Sequence, residues 1–363
     1  MHSIVLALPK FVPIGGVVRP DLEGVVLPRR PPQQAARALG LVAAVGVLAL
    51  LCLLSIWLGS KEISFGDVWR VLVHNDGSAD AVIIHSVRMP RTALGLLVGA
   101  ALGLAGTVMQ ALTRNPLADP GLLGVSAGAA FAIVFSITVV GVSSLYGYIW
   151  FAFGGAMAAT AVVYFLGTRG NAGSSPVKLT LAGAAVTALL GSFTSAMVLR
   201  DPAALNRFRF WSAGSLTGAD TTQLLQVSPF LLVGAVLAIA CGPALNSLAL
   251  GDDVAVALGR RLGPLRLRGA LAVTLLTGAA VAVAGPIVFL GLIIPHAVRF
   301  AIGPDHRWLL PYSAVLAPVL LLAADILGRI LARPGEIRAG VIVAFIGAPV
   351  FIHLVRRRKQ LES

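Results

Sequence analysis

Arg88 and Arg91 stand three residues apart in Arg88-Met-Pro-Arg91, a turn that opens a Gly/Ala-rich apolar run; Arg329 and Arg333 close another. A guanidinium is a planar fork of donors that can meet a carboxylate with two charge-assisted bonds. Arginines so placed suit docking onto acidic side chains, or plain anchoring in solvent and lipid headgroups. Asp325 is the one carboxylate well inside an apolar run, and it precedes Arg329 by four residues. That spacing puts both on one helix face, where a structural ion pair is the role to expect. A second polar stretch, Asn246 to Gly263, contains Leu250-Gly-Asp-Asp-Val-Ala-Val-Ala-Leu-Gly259. Ala249 to Leu258 can form a short helix that Gly259 stops, suited to docking or to simple linkage.

Other chemistries lack their residues. No G-x-x-x-x-G-K-[ST] is present, so the chain has no P-loop with which to hydrolyse ATP. The 15 acids are scattered, with neither H-x-x-x-H nor D-x-x-D, and the six histidines share no ligand spacing. A membrane enzyme would need such a cluster, and a metal site would need ligands at fixed spacing; neither is expected. Cys52 and Cys241 lie inside apolar runs and suggest neither a disulfide nor a metal pair. An ion-coupled secondary transporter, the more distant alternative, would favour ionisable groups in mid-membrane, and Asp325 alone fits. The net charge of +13 would elsewhere suggest nucleic acid, but no basic stripe is interleaved with exposed aromatics.

The elements that must position these residues are membrane helices. The chain is 57% hydrophobic and 12% charged, against roughly 25% charged in soluble domains. Ten apolar spans of the ~20 residues a bilayer requires are predicted, at 38–58, 92–112, 121–140, 148–167, 179–199, 224–244, 268–284, 286–302, 308–330 and 337–355. The division at Gly285-Pro286 rests on proline, which lacks an N–H and disfavours helix just before it. Ten spans put both termini on one side, and making that side cytoplasmic places 18 of the 28 Lys and Arg inside, including Arg356 to Lys359. Trp57, Trp150 and Trp308 fall at span ends, as interfacial anchors should, and Trp211 in a loop. Residues 1–35, Pro-rich and basic, read as a disordered cytoplasmic tail, and residues 36–359 as one transmembrane domain. The 36–59 run is too long for a signal h-region and reads as a retained helix.

Leu97-Val-Gly-Ala-Ala-Leu-Gly-Leu-Ala-Gly106 recurs as Leu276-Thr-Gly-Ala-Ala-Val-Ala-Val-Ala-Gly285, 179 residues on. The copies fall in spans 2 and 7, which cross in opposite directions, the mark of an inverted-topology repeat. Small residues at this density also let helices approach closely.

These residues resemble the FecCD-type permease subunits of iron-siderophore, haem and cobalamin ABC importers. The resemblance rests on R-M-P-R-T at 88–92, M-Q-A-L-x-x-N-P-L-A-D-P-G-L-L-G-V-S-x-G-A at 109–129, G-P-I-x-F-x-G-L-I-I-P-H-x-x-R at 285–299, G-A-P-x-F at 347–351 and the loop at 248–259. It implies an all-α polytopic fold of ten transmembrane helices, with helices 2–5 and 7–10 as the inverted repeat. It implies a second permease subunit, identical or related, two cytoplasmic ATP-binding subunits that hold ATP and Mg, and an extracytoplasmic substrate-binding lipoprotein. The chain itself would bind no cofactor, catalyse no reaction and sit in the cytoplasmic (inner) membrane. Arg88, Arg91 and Arg329 match the arginines that meet the binding protein; Arg329 lies seven residues before the Glu336 that opens helix 10. Leu250, Gly251, Asp252, Asp253, Ala255, Leu258 and Gly259 match the loop that couples to the ATPase. The fifth span, with Ala182, Gly183, Thr187, Gly191 and Ser192, would line and gate the pathway. Glu336-Ile-Arg338 stands where the family usually has E-[IL]-P. The cargo implied is a ferric siderophore, with haem or cobalamin as alternatives.

Overall fold

A computed structural model of the chain describes residues 11–14, 17–20, 33–74, 76–142, 145–168, 176–218 and 220–362. Contacts divide the chain into residues 1–39 and 40–363. The first unit holds strands β1 (Phe11–Ile14) and β2 (Val17–Pro20), an antiparallel pair with Phe11 opposite Pro20. The rest of the tail expected at 1–35, and the loop carrying Arg169, lie outside the described residues apart from 33–35.

Helices make up the remainder. They are α1 (Gln33–Trp57), α2 (Phe65–Val73), α3 (Ala79–Val82), α4 (Met89–Thr113), α5 (Val125–Thr138), α6 (Leu145–Thr168), α7 (Pro176–Arg200) and α8 (Pro202–Ser212). Then follow α9 (Thr221–Leu248), α10 (Asp252–Ala257), α11 (Leu262–Ala284), α12 (Leu290–Ile302), α13 (His306–Leu331) and α14 (Ala339–Glu362). Seven helical runs among the described residues are long and apolar enough to cross a membrane, and Val125–Thr138, Leu290–Ile302 and Ala339–Ile352 are shorter apolar helices.

The centre is α4, most of whose side chains are buried; it packs against α9, α11, α12 and α13. Glycines permit this. A methyl group added at Gly99 would strike the backbone of Pro318, at Gly103 the Ser313 carbonyl, and at Gly106 the Gly291 carbonyl. With lipid as apolar as the side chains, such close backbone approach and its dispersion contacts hold membrane helices together. Val98, Leu102, Val108, Val273, Leu276 and Leu321 fill the core around them.

Three local features depart from expectation. Arg88-Met-Pro-Arg91 is not a turn: α3, a π-helical turn at Ile83–Arg88 and α4 run on as one helical segment, Ala79–Thr113. Pro90 lacks the N–H that a continuing helix would use, and the wider turn stands directly before it. Next, α2 occupies part of the stretch between the expected spans 38–58 and 92–112. Its N-cap Ser64 accepts from the Asp67 N–H at 3.1 Å, and Val68 and Val71 join Ile63, Ala81 and Ile84 in a small separate core. Finally, Trp211 lies in helix α8 rather than in a loop. Asp201 opens α8 by accepting from the Ala204 N–H at 3.2 Å.

Elsewhere the proline and glycine signals act as expected. Gly285, at φ +71°, ends α11, and residues 286–289 separate it from α12. Arg114, at φ +50°, ends α4. In the following loop the Asn115 side chain accepts from the Leu117 N–H at 3.0 Å, and Asp119 from the Gly121 N–H at 2.8 Å. Both cap and turn the chain.

Candidate functional site

At one end of the bundle, three arginines converge on two acids and on the last turn of α1. The Nε and Nη2 of Arg91 donate to Asp325 at 3.0 and 2.7 Å, a two-pronged pair, and its Nη1 donates to Glu336 Oε2 at 2.8 Å. Arg329 meets the same aspartate at 2.9 Å, one helical turn along α13, as the i,i+4 spacing suggested. Its Nη2 also donates to Ser55 Oγ at 2.7 Å, and its Nη1 to the carbonyls of Ser55 and Leu58 at 2.8 and 2.9 Å. Arg88 donates to the carbonyls of Ile56 at 2.9 Å and Lys61 at 2.6 Å, and to that of Trp57. Arg333 reaches the Gly59 carbonyl at 3.0 Å and pairs with Glu62.

The charges explain the arrangement. A helix leaves its last four carbonyls without intrahelical partners and carries about half a negative charge there. The guanidiniums occupy those carbonyls at the end of α1. Arg88, Arg91 and Arg329 outnumber Asp325 and Glu336 by one cation, and the α1 terminus offsets part of the excess. Asp325 is fully buried, and Arg88, Arg91 and Arg329 are 4%, 4% and 2% exposed. Arginines expected on sequence grounds to reach a partner's carboxylates are thus turned inward: Arg91 and Arg329 meet acids of the same chain, and Arg88 meets backbone carbonyls. Exposed cations on neighbouring segments include Lys61 and Arg70, with side chains 54% and 65% exposed, and Arg333 at 33%. Sequence reading passed over Lys61 and Arg70; both lie next to α2 or within it, a helix it did not foresee.

The short helix expected at 249–258 is α10, framed by Gly251 at φ +108° and Gly259 at φ +78°. Positive φ of this kind favours glycine. Asp252 receives Arg266 at 2.8 Å and Arg114 at 3.5 Å, which ties the loop to α11 and to the end of α4. Ala255 is buried, whereas Leu250, Val254, Val256 and Leu258 are exposed. The element therefore presents apolar side chains around Ala255 that nothing among the described residues covers. Asp253 starts the same helix.

On α7, Gly183 is buried and Ala182 packs against the main core, while Thr187, Gly191 and Ser192 are exposed. Space beside Gly191 is open, and the Ser192 hydroxyl donates back to the Ala188 carbonyl at 2.9 Å. Leu181, Leu189, Phe193 and Leu199 are exposed on the same helix, so most of α7 is uncovered. The docking, loop and α7 residues thus form three separate sites rather than one. Among the described residues, no three His, Cys, Asp or Glu side chains gather as a metal site would require.

Comparison with known proteins fits this layout. The chain is 48% identical to the ferric enterobactin transport system permease protein FepD of Escherichia coli (strain K12), over 87% of this chain and 96% of that one. It is 41% identical to the probable siderophore transport system permease protein YfiZ of Bacillus subtilis (strain 168), over 88% and 96%. The hemin transport system permease protein HmuU of Yersinia pestis is 39% identical, over 87% and 95%. Among solved structures, a chain described as an inward-facing conformation of a metal-chelate type ABC transporter superposes with a TM-score of 0.78. That match has 29% identity and covers 87% of this chain and 98% of the other. The profile of the FecCD transport family matches residues 47–357, and the chain belongs to that family.

Proposed function

We propose that this chain is the membrane permease subunit of an ABC importer that carries a ferric siderophore across the cytoplasmic membrane, driven by ATP hydrolysis in a separate subunit. The observation that carries the cargo is the 48% identity, over nearly the full length of both chains, with a ferric enterobactin permease. Haem is the second reading, favoured by the 39% identity to a hemin permease; a cobalamin permease of Halobacterium salinarum, 39% identical over 77% of this chain, keeps cobalamin as a third. Growth of a deletion strain on single ferric siderophores, haem or cobalamin tests this. Growth lost on one siderophore alone is the expected result; growth lost only on haem or cobalamin overturns the siderophore reading.

Ten membrane crossings with both termini cytoplasmic fit the helices. Helices α4 to α7 have 25, 14, 24 and 25 residues, and α11 to α14 have 23, 13, 26 and 24. The shared long–short–long–long order supports the inverted repeat suggested by the recurring Gly/Ala segment. A second permease subunit would cover α7, with Thr187, Gly191 and Ser192 facing the pathway between the two.

The exposed apolar face of α10 would seat in the ATPase, where Leu250, Val254, Val256 and Leu258 would be covered. Nucleotide then biases an outward- against an inward-facing state, because the ATPase holds the loop differently in each. Docking of the binding protein would use the outer rim. Lys61, Arg70 and Arg333 offer accessible cations there. Arg88, Arg91 and Arg329 would contribute by fixing the ends of α1, α4 and α13, or Arg91 and Arg329 would leave Asp325 and Glu336 and turn to a partner's carboxylates.

A further inference from the structure

Between α9 and α11, beside the α10 loop, lies a cavity of about 420 Å³. Leu237, Ala240, Cys241 and Ala244 form one wall, with Pro264 and Leu265 opposite. Arg260, Arg261 and Arg268 close its polar end. All three arginines are exposed, and none has an acidic partner within 4 Å among the described residues. This contrasts with Arg114 and Arg266 nearby, which share Asp252.

We propose that this cavity binds the phosphate headgroup of an anionic phospholipid, with the lipid chains lying along α9 and α11. Three guanidiniums around one opening supply the charge and the forked donors that a phosphate takes up. The apolar wall selects a phosphate that carries hydrocarbon. Further along the same helices, Val233, Val236 and Ile239 of α9 and Leu267 and Leu271 of α11 stay exposed, apolar surface on which acyl chains can lie. Basic pockets between helices at the cytoplasmic surface are where anionic headgroups gather. The bound lipid would sit one residue beyond Gly259, at the hinge between α10 and α11, and would brace the loop that faces the ATPase. The proposal rests on the membrane reading above, with the α10 loop on the cytoplasmic side.

The test uses the assembled transporter, purified in mild detergent and exposed to vesicles of phosphatidylglycerol or of phosphatidylcholine, with lipid retained per chain read by native mass spectrometry. Retention of phosphatidylglycerol and not phosphatidylcholine is expected. Arg260→Gln with Arg261→Gln and Arg268→Gln should weaken that retention on the order of 100-fold, while Arg307→Gln should leave it unchanged. Equal retention of the two lipids by the unaltered transporter would overturn the site without recourse to any variant. So would unchanged retention in a folded triple variant. Inorganic phosphate that displaces the lipid at millimolar concentration would make the ligand free phosphate instead. Lipid present on the isolated chain but expelled by the ATPase would make the arginines a protein contact. Uptake is measured in parallel: a transporter that holds the lipid but imports no chelate would sink the functional reading alone.

Discussion

Asp325 joins two of the three arginines of the cluster. It pairs with both Arg91 and Arg329 while fully buried. Removing one member of a buried charged set strands the others, a loss of about 3–5 kcal/mol. Asp325→Asn should therefore lower the melting temperature of the purified transporter sharply, and an unchanged melting curve would show the cluster to be dispensable. Arg88→Glu with Arg91→Glu would set one new acid beside Asp325 and Glu336 and another against the carbonyls that end α1, so its first effect should be a loss of folded protein. Charge reversal at exposed Lys61, Arg70 and Arg333 is the cleaner docking probe: weaker capture of the binding protein with normal folding is expected, relieved by nothing in the core. Asp119 offers a pH test. Burial raises its pKa above the ordinary carboxylate value, against a smaller opposing effect of the Gly121 N–H. The folded state then holds its proton to higher pH than the unfolded chain, so stability falls as pH rises from the ordinary value through the raised one. Asp119→Asn keeps the capping oxygen and should flatten that pH dependence in thermal melts. Sequence spacing revealed the Asp325–Arg329 pair because both lie on one turn of one helix. The Arg91–Asp325 bond joins residues 234 apart, and the acceptors of Arg88 are backbone carbonyls that carry no residue type to read.

Glycine placement decides whether α4 can occupy the centre. Gly103→Leu would drive a side chain into the Ser313 carbonyl and the Ala317 methyl, and overpacking of this kind costs about 1–3 kcal/mol or more. A monodisperse, full-yield Gly103→Leu protein on size-exclusion chromatography would refute the close packing. At α10, Gly259→Val forces a β-branched residue into φ +78°, a conformation such residues rarely adopt. The hinge should shift, and ATP hydrolysis should continue while chelate uptake falls; tightly coupled uptake in that variant would show that the loop does not transmit the motion. The long apolar helices were legible because hydropathy over ~20 residues is a strong signal. Short helices α2 and α8 were not, although Ser64 with Asp67 and Asp201 with Pro202 mark their starts. Their burial is set by contacts with distant segments, and at that length local preference is weak.

For the molecule as a whole, the family match and the uncovered α7 and α10 faces describe a part built to be completed by others. Uptake should stop when the partner ATPase is inactivated; uptake that persists would restore the ion-coupled alternative. The membrane class, the family and the proposed repeat were all accessible from sequence, since composition, motifs and a 179-residue offset are one-dimensional properties. Which arginines face solvent was not, because that depends on three helix ends meeting.

The π-helical turn at Ile83–Arg88 sets the phase between two pieces of one rod. A wide turn holds one residue more than its neighbours, so everything before it is rotated relative to α4 by about 100°, the angle per residue of an α-helix. Ala81 before that turn and Ile84 within it belong to the small core with Val68 and Val71. Deleting Ser86 would let the segment relax to uniform pitch and swing α3 off the patch built on Val68 and Val71. The bundle around α4 would keep its register, and the small core on Val68 and Val71 alone would come loose. Such a protein should stay folded in the membrane yet expose the 59–82 segment to protease added from outside.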